Sequence, residues 1–345
     1  MTSRRVRVAL ALGAGALAVV LAVAASGLVG AQPISLRAAL AAVEPDRAIL
    51  FELRLPRALV AALVGCALAA AGTALQALLR NPLAEPFVLG VSGGAALGGS
   101  LVLVASAALA RVAGAAGEAL GAAPPVAAGA ILGAALATFL VFGLGRIAGR
   151  LVPEAALLVG IVFNSFVAGV ITLLKLLVPP EQASRLTYWL VGAVGYESAA
   201  TQAWGAGVVL AAVAILVALS AQLNLLTLGD EEAATLGLDV RRARVWVFFA
   251  ASAATGAAVA LAGLVGFVGL IVPHLVRRVV GPDHRLLVPA SALFGAAFLV
   301  LADALARLAF MPLGTEPPVG AVTAFLGGPF FLWLLRRSAR PEAAR

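Results

Sequence analysis

Reactive side chains are scarce in this sequence. Its 345 residues include one cysteine, Cys66, two histidines, His274 and His284, and one lysine, Lys175. One cysteine excludes an intrachain disulfide and a multi-thiolate metal site, and two imidazoles exclude a His-rich one. An ATP-hydrolysing P-loop needs Gly-Lys-Ser/Thr around the phosphates, but Lys175 stands between pairs of leucines, so glycine-rich stretches such as 90–99 read as packing surfaces. No nucleophile, base and orienting group stand together. The expectation is a chain with no catalytic residue, no metal and no cofactor of its own.

Charge is scarce too. Charged residues make up 12% of the chain and hydrophobic ones 63%, against roughly half apolar in an ordinary soluble domain, so the chain belongs in a bilayer. The net charge of +8 does not signal nucleic acid, because no basic run is interleaved with aromatics. The positive residues sit in loops instead, as they do around membrane helices.

What is abundant is apolar sequence punctuated by Gly, Pro and short charged breaks. A span needs about 20 apolar residues, and length with punctuation predicts ten spans: 8–30, 56–79, 87–110, 124–145, 154–177, 201–222, 242–262, 264–280, 287–309 and 318–336. The N-terminal run exceeds the core of a secretory signal, about 7–15 residues, and reads as an uncleaved first span. With ten spans and the N-terminus inside, 16 of the 24 basic residues fall on the inner side and the 16 acids divide evenly. Both termini are therefore expected in the cytoplasm. The whole of 1–345 reads as one transmembrane domain containing a cytoplasmic loop at 223–241.

The wording of the spans is specific. Leu55-Pro56-Arg57, then Gly65 to Gly72, then Gln76 to Pro86 with Asn81-Pro82-Leu83-Ala84, then Leu89 to Gly94, occur in that order. Gly263 to His274 and Ala302-Asp303-Ala304-Leu305-Ala306-Arg307 come later, and Glu316 precedes Pro317-Pro318-Val319-Gly320. In this order they resemble the FecCD-type permeases of ABC importers for iron chelates, haem and cobalamin. That resemblance implies an all-α, type II importer permease working as a homodimer in the bacterial inner membrane. It further implies two separate ATPase subunits that bind ATP and Mg, and an extracytoplasmic substrate-binding protein.

Three sets of residues become candidates. The segment Leu228-Gly229-Asp230-Glu231-Glu232-Ala233-Ala234-Thr235-Leu236-Gly237 has acids at a helix start and a glycine stop, which is a helix too short to span. It resembles the family's coupling segment, so Gly229, Asp230, Glu231, Glu232, Ala233, Leu236 and Gly237 are expected to meet the ATPase. Arg54, Arg57 and Arg307 resemble the cations that dock the binding protein. Asn164 and Ser165, polar residues inside the fifth span, either bond a neighbouring helix or line the translocation path. His274 reads as a structural residue. The rival class is a secondary transporter driven by an ion gradient, which needs carboxylates near mid-membrane; the predicted spans offer only Asp303, with Arg307 four residues on.

Overall fold

The computed structural model describes residues 2–30, 32–113, 123–147, 150–195 and 199–338. Arg340 and Arg345, two of the 16 basic residues expected on the inner side, lie outside the described residues.

Helices account for nearly everything described. In chain order they are α1 (Thr2–Leu28), α2 (Leu36–Leu40), α3 (Asp46–Ala48) running through a π-helical segment (Ile49–Arg54) into α4 (Leu55–Leu78), then α5 (Val91–Ala113), α6 (Ala123–Leu144), α7 (Pro153–Leu176), α8 (Pro180–Leu190) and α9 (Ala199–Ala218). After these come α10 (Ser220–Leu226), α11 (Asp230–Thr235), α12 (Val240–Ala262), α13 (Val268–Val280), α14 (His284–Leu308), α15 (Phe310–Leu313) and α16 (Val319–Ser338). Two two-residue strands, Arg146–Ile147 and Arg150–Leu151, pair antiparallel between α6 and α7.

Seven of the helical stretches are long and apolar enough to cross a membrane, and Val91–Ser106 and Val319–Leu334 are shorter apolar helices. These nine fall on nine of the ten predicted spans in order, and the predicted eighth span holds α13, a helix of 13 residues. Several boundaries move, among them the following three. The second span starts at Asp46, because the π-helical segment makes one continuous helix with α4. The sixth stops at Ala218, and 220–226 form a separate helix. The eighth begins only at Val268, after an irregular stretch at 263–267. The end of α1 and the approach to α16 meet the same end of the bundle through Arg307 and Arg57, so the start of α1 and the end of α16 point to the other face, called here the terminal face.

The core is a cluster of α4, α12 and α14. The most apolar windows of α3–α4 and of α12 are 78% buried and that of α14 is 72%, whereas that of α1 is 11%, so α1 is a peripheral helix laid on α14. Alanine and glycine bring the central helices together. A Cβ at Gly65 would lie 2.1 Å from the Gly295 carbonyl oxygen, and one at Gly72 would lie 2.0 Å from that of Gly269, so α4 meets α14 and α13 backbone to backbone. Such contact through small residues is how apolar helices associate where lipid removes the hydrophobic driving force.

The end of α4 sets the path of the chain toward α5. The Arg80 amide donates to the Ala77 carbonyl at 3.2 Å and the Asn81 amide to the Gln76 carbonyl at 3.1 Å, while Arg80 is left-handed with φ 48°. This is a Schellman stop with arginine in the place glycine usually takes. Asn81 Oδ1 then accepts from the Leu83 amide at 2.9 Å, and Pro82 removes a donor and prevents the helix from resuming.

Candidate functional site

Two polar clusters interrupt the apolar bundle, one at each face. On the face opposite the termini, Arg57 of α4 grips Asp303 of α14: Nε lies 3.1 Å from both carboxylate oxygens and Nη2 lies 2.9 Å from Oδ1. Its remaining arm, Nη1, donates to Glu316 at 3.0 Å. Arg307 Nε approaches the other side of Asp303 at 3.3 Å without hydrogen-bond alignment. Its Nη1 donates to the carbonyls of Ser26 at 3.1 Å and Val29 at 2.9 Å, and its Nη2 donates to Ser26 Oγ. Arg54 donates to the carbonyls of Gly27, at 3.1 Å, and Gln32. The C-terminal carbonyls of α1 are thus satisfied by guanidinium groups.

All three arginines are buried, as is Asp303 at 0% exposure. They tie α1, α4, α14 and the approach to α16 together. The Glu316 side chain is 33% exposed and that of Arg57 10%, so the Arg57–Glu316 pair is the part of this cluster nearest solvent. Sequence could not show the convergence, because Arg57 and Asp303 stand 246 positions apart.

At the terminal face, α11 is a single short helix opened by Gly229 at φ 129° and stopped by Gly237 at φ 85°. Ala233 is buried beneath it, while Leu228, Glu231, Glu232 and Leu236 are exposed. Asp230 turns inward: Arg244 of α12 donates to its Oδ1 at 2.6 Å, and Arg80 Nη2 lies 3.8 Å from the same oxygen. The predicted acidic triad therefore divides into one anchor and two surface carboxylates.

Beside this lies a network that the sequence reading missed. Gln76 Nε2 donates to the Gly269 carbonyl at 3.1 Å, and Arg277 Nη2 donates to Gln76 Oε1 at 3.1 Å, tying α4 to α13. Glu85, in the connection between α4 and α5, accepts from the amide of Phe267, itself left-handed at φ 68° just before α13. The sequence signal was an acid inside the apolar motif 81–86. An acid in a connection reads as solvated unless its partner is known.

Asn164 of α7 donates to the Phe87 carbonyl at 2.7 Å, so its partner is the connection between α4 and α5 rather than a neighbouring helix. Ser165 is exposed and its hydroxyl donates to its own helix at Ile161, 3.0 Å away. His284 is held by Asn224, whose Oδ1 lies 2.9 Å from its amide and 2.8 Å from Nδ1. His274 packs edge-on to Phe330, with ring centroids 6.2 Å apart. Among the described residues no three His, Cys, Asp or Glu side chains cluster in a way that could hold a metal.

Known proteins share both the sequence pattern and the helical architecture. The chain is 40% identical to the hemin transport system permease protein HmuU of Yersinia pestis, over 84% of this chain and 83% of that protein. It is 42% identical to the cobalamin import system permease protein BtuC of Halobacterium salinarum, over 85% and 74%. With the Fe(3+) dicitrate transport system permease protein FecC of Escherichia coli the figures are 37%, 84% and 83%. A solved structure described as a metal-chelate type ABC transporter in an inward-facing conformation superposes with a TM-score of 0.81 at 28% identity, covering 95% of this chain and 99% of the other. Residues 16–337 match the FecCD transport family, and the chain belongs to that family as a multi-pass ABC importer permease.

Proposed function

We propose that this permease carries an iron chelate, haem or cobalamin inward across the bacterial inner membrane, with both termini in the cytoplasm. Two copies form one pathway by alternating access, and ATP and Mg are bound by two separate ATPase subunits. The observation that carries the reading is α11. Its anchoring acid, Asp230, is held by the bundle, and Leu228, Glu231, Glu232 and Leu236 are presented outward, which suits a partner groove with an apolar floor and a basic rim. Relatives named for hemin, cobalamin and ferric dicitrate transport support the cargo class without choosing within it.

An extracytoplasmic binding protein docks over the opposite cluster in this reading. Arg57 and Glu316 present the polar rim, and Arg54 and Arg307 hold the loops beneath it. The exposed face of α7 bearing Ser165 turns toward the pathway, with Asn164 fixing that helix to the α4–α5 connection. The test is uptake into proteoliposomes holding the permease and its co-purified ATPase, with the binding protein added and its ligand identified by mass spectrometry. Uptake should require ATP and the binding protein. Uptake driven by a proton or sodium gradient without ATP would sink the proposal in favour of a secondary transporter.

A further inference from the structure

We propose that the α4–α5 connection, residues 79–90, is the link through which movement of α11 reaches the irregular stretch between α12 and α13. This rests on the reading of α11 as the ATPase-coupling segment.

The connection touches both partners. Arg80 lies at one end with its guanidinium on Asp230, the first residue of α11. Glu85, five positions on, holds the Phe267 amide. Between these two contacts the chain is stiff, with φ fixed at Pro82 and a turn closed by Asn81 on Leu83; just past Glu85, Pro86 fixes φ again and Asn164 clasps the Phe87 carbonyl from α7. A segment without freedom of its own passes a displacement on rather than absorbing it.

The receiving stretch has the opposite character. Residues 263–267 carry no regular hydrogen-bond ladder, Gly263 and Phe267 are left-handed at φ 67° and φ 68°, and nothing lies within 4 Å of a Cβ built on Gly266. Hinges are drawn from such element-terminal positions. Beyond the hinge, Gln76 already fastens α13 to α4 through Gly269 and Arg277, and before it Gly263 and Leu264 are packed against Trp189, Gly192 and Gly320, so Gly266 and Phe267 are the part able to yield. A Cβ at Gly327 of α16 would lie 2.3 Å from Phe267 Cγ, so a shift of Phe267 cannot occur without moving its ring against α16. The Arg80 backbone is left-handed at φ 48°, a conformation that glycine would adopt without strain, and what arginine adds there is the contact with Asp230.

The test is hydrogen exchange of the complete transporter, permease with its ATPase in nanodiscs, with and without a non-hydrolysable ATP analogue. In the wild type the analogue should alter exchange in both 228–238 and 264–270. Arg80→Ala and Glu85→Ala should keep the first response and lose the second, while Glu85→Gln, whose amide oxygen still accepts from Phe267, should keep both. Uptake per ATP should fall between about twofold and about thirtyfold in the two alanine variants, the range of perturbations along a coupling network, and the double variant should be no worse than either. A wild type that responds at 228–238 but not at 264–270 overturns the link, as does a response at 264–270 that survives both alanine variants. No response at 228–238 in the wild type removes the coupling assignment itself, and the link with it. Should an alanine variant fail to assemble, the wild-type pair of responses and Glu85→Gln decide.

Discussion

Arg57 and Asp303 form a two-pronged ion pair in which Nε and Nη2 of the guanidinium face both oxygens of a carboxylate with no solvent exposure. Planar, bidentate contact of this kind is what arginine provides and lysine does not. Because Arg307 stands on the other side of Asp303, one acid compensates two buried cations, with Glu316 sharing the load on Arg57.

Removing Asp303 should therefore be costly. In Asp303→Ala two guanidinium groups remain in a site built for a carboxylate, a situation that costs about 3–5 kcal/mol when a buried pair is broken from one side. Thermal unfolding in detergent should show a large drop in Tm. Asp303→Leu combined with Arg57→Met should recover part of it, since a buried pair exchanged for apolar side chains of similar volume is often neutral. If the double variant is less stable than Asp303→Ala, the cluster does more than pair charges.

The same pair bears on docking. Charge reversal at Arg57 confuses two effects, because a glutamate there would face Asp303 and Glu316 and damage the fold before any partner arrives. Glu316→Gln is the cleaner probe. It replaces the carboxylate on the Nη1 arm of Arg57, 3.0 Å away, by a neutral amide, which leaves more positive charge at the rim for a carboxylate on the binding protein. Association should strengthen at low salt and the gain should shrink at high salt, as rim electrostatics require, with Tm little changed. Weaker association in Glu316→Gln would mean that the glutamate itself is the docking group.

The order and approximate positions of the long apolar helices were legible from apolar length and punctuation, because a bilayer makes each helix long, apolar and bounded by polar breaks. The places that escaped were those where the chain is apolar without being helical. At 263–267 glycine, leucine, valine and phenylalanine look like span residues, yet Gly263 and Phe267 are left-handed, and the Phe267 amide finds its hydrogen-bond acceptor in Glu85, 182 positions away. The arginines show a similar limit. Arg54, Arg57 and Arg307 fall where a snorkelling or docking cation would fall, and burial is decided by acids and carbonyls from other helices. Asp230, Glu231 and Glu232 looked equivalent because they are adjacent, and only Arg80 and Arg244 separate them.

Helix contact at Gly72 should be equally unforgiving. A Cβ there would lie 2.0 Å from the Gly269 oxygen and 2.5 Å from its Cα, and neither backbone can yield without breaking the bond from Gln76 to Gly269. Gly72→Ala should destabilise by about 1–3 kcal/mol or more, as overpacking does. Gly13→Ala, with nothing within 4 Å, should have no such effect. Size-exclusion profiles and Tm of both variants in detergent provide the comparison; equal behaviour would mean that α4 and α13 can separate at little cost.

The acids of α11 should divide by role under substitution. Asp230 receives Arg244 at 2.6 Å, and the Arg244 side chain is 6% exposed, so Asp230→Ala leaves a nearly buried guanidinium without this carboxylate and loosens the attachment of α11 to α12. Its first effect should be on the permease alone: lower Tm and faster hydrogen exchange across 228–238, with no ATPase present. Glu231 and Glu232 are exposed, so Glu231→Lys with Glu232→Lys should leave the isolated permease intact. Each reversal opposes the positive start of a helix by about 0.3–1 kcal/mol, a local cost too small to unfold a bundle of this size. Their effect should appear when the ATPase is added, as weaker co-purification and lower ATP-driven uptake. The measurement is therefore a pair, Tm of the permease alone and retention of the ATPase on an affinity column, for Asp230→Ala and for the double lysine variant. A double lysine variant that holds the ATPase and transports normally would remove this surface from the coupling interface, whatever Asp230→Ala does to the fold.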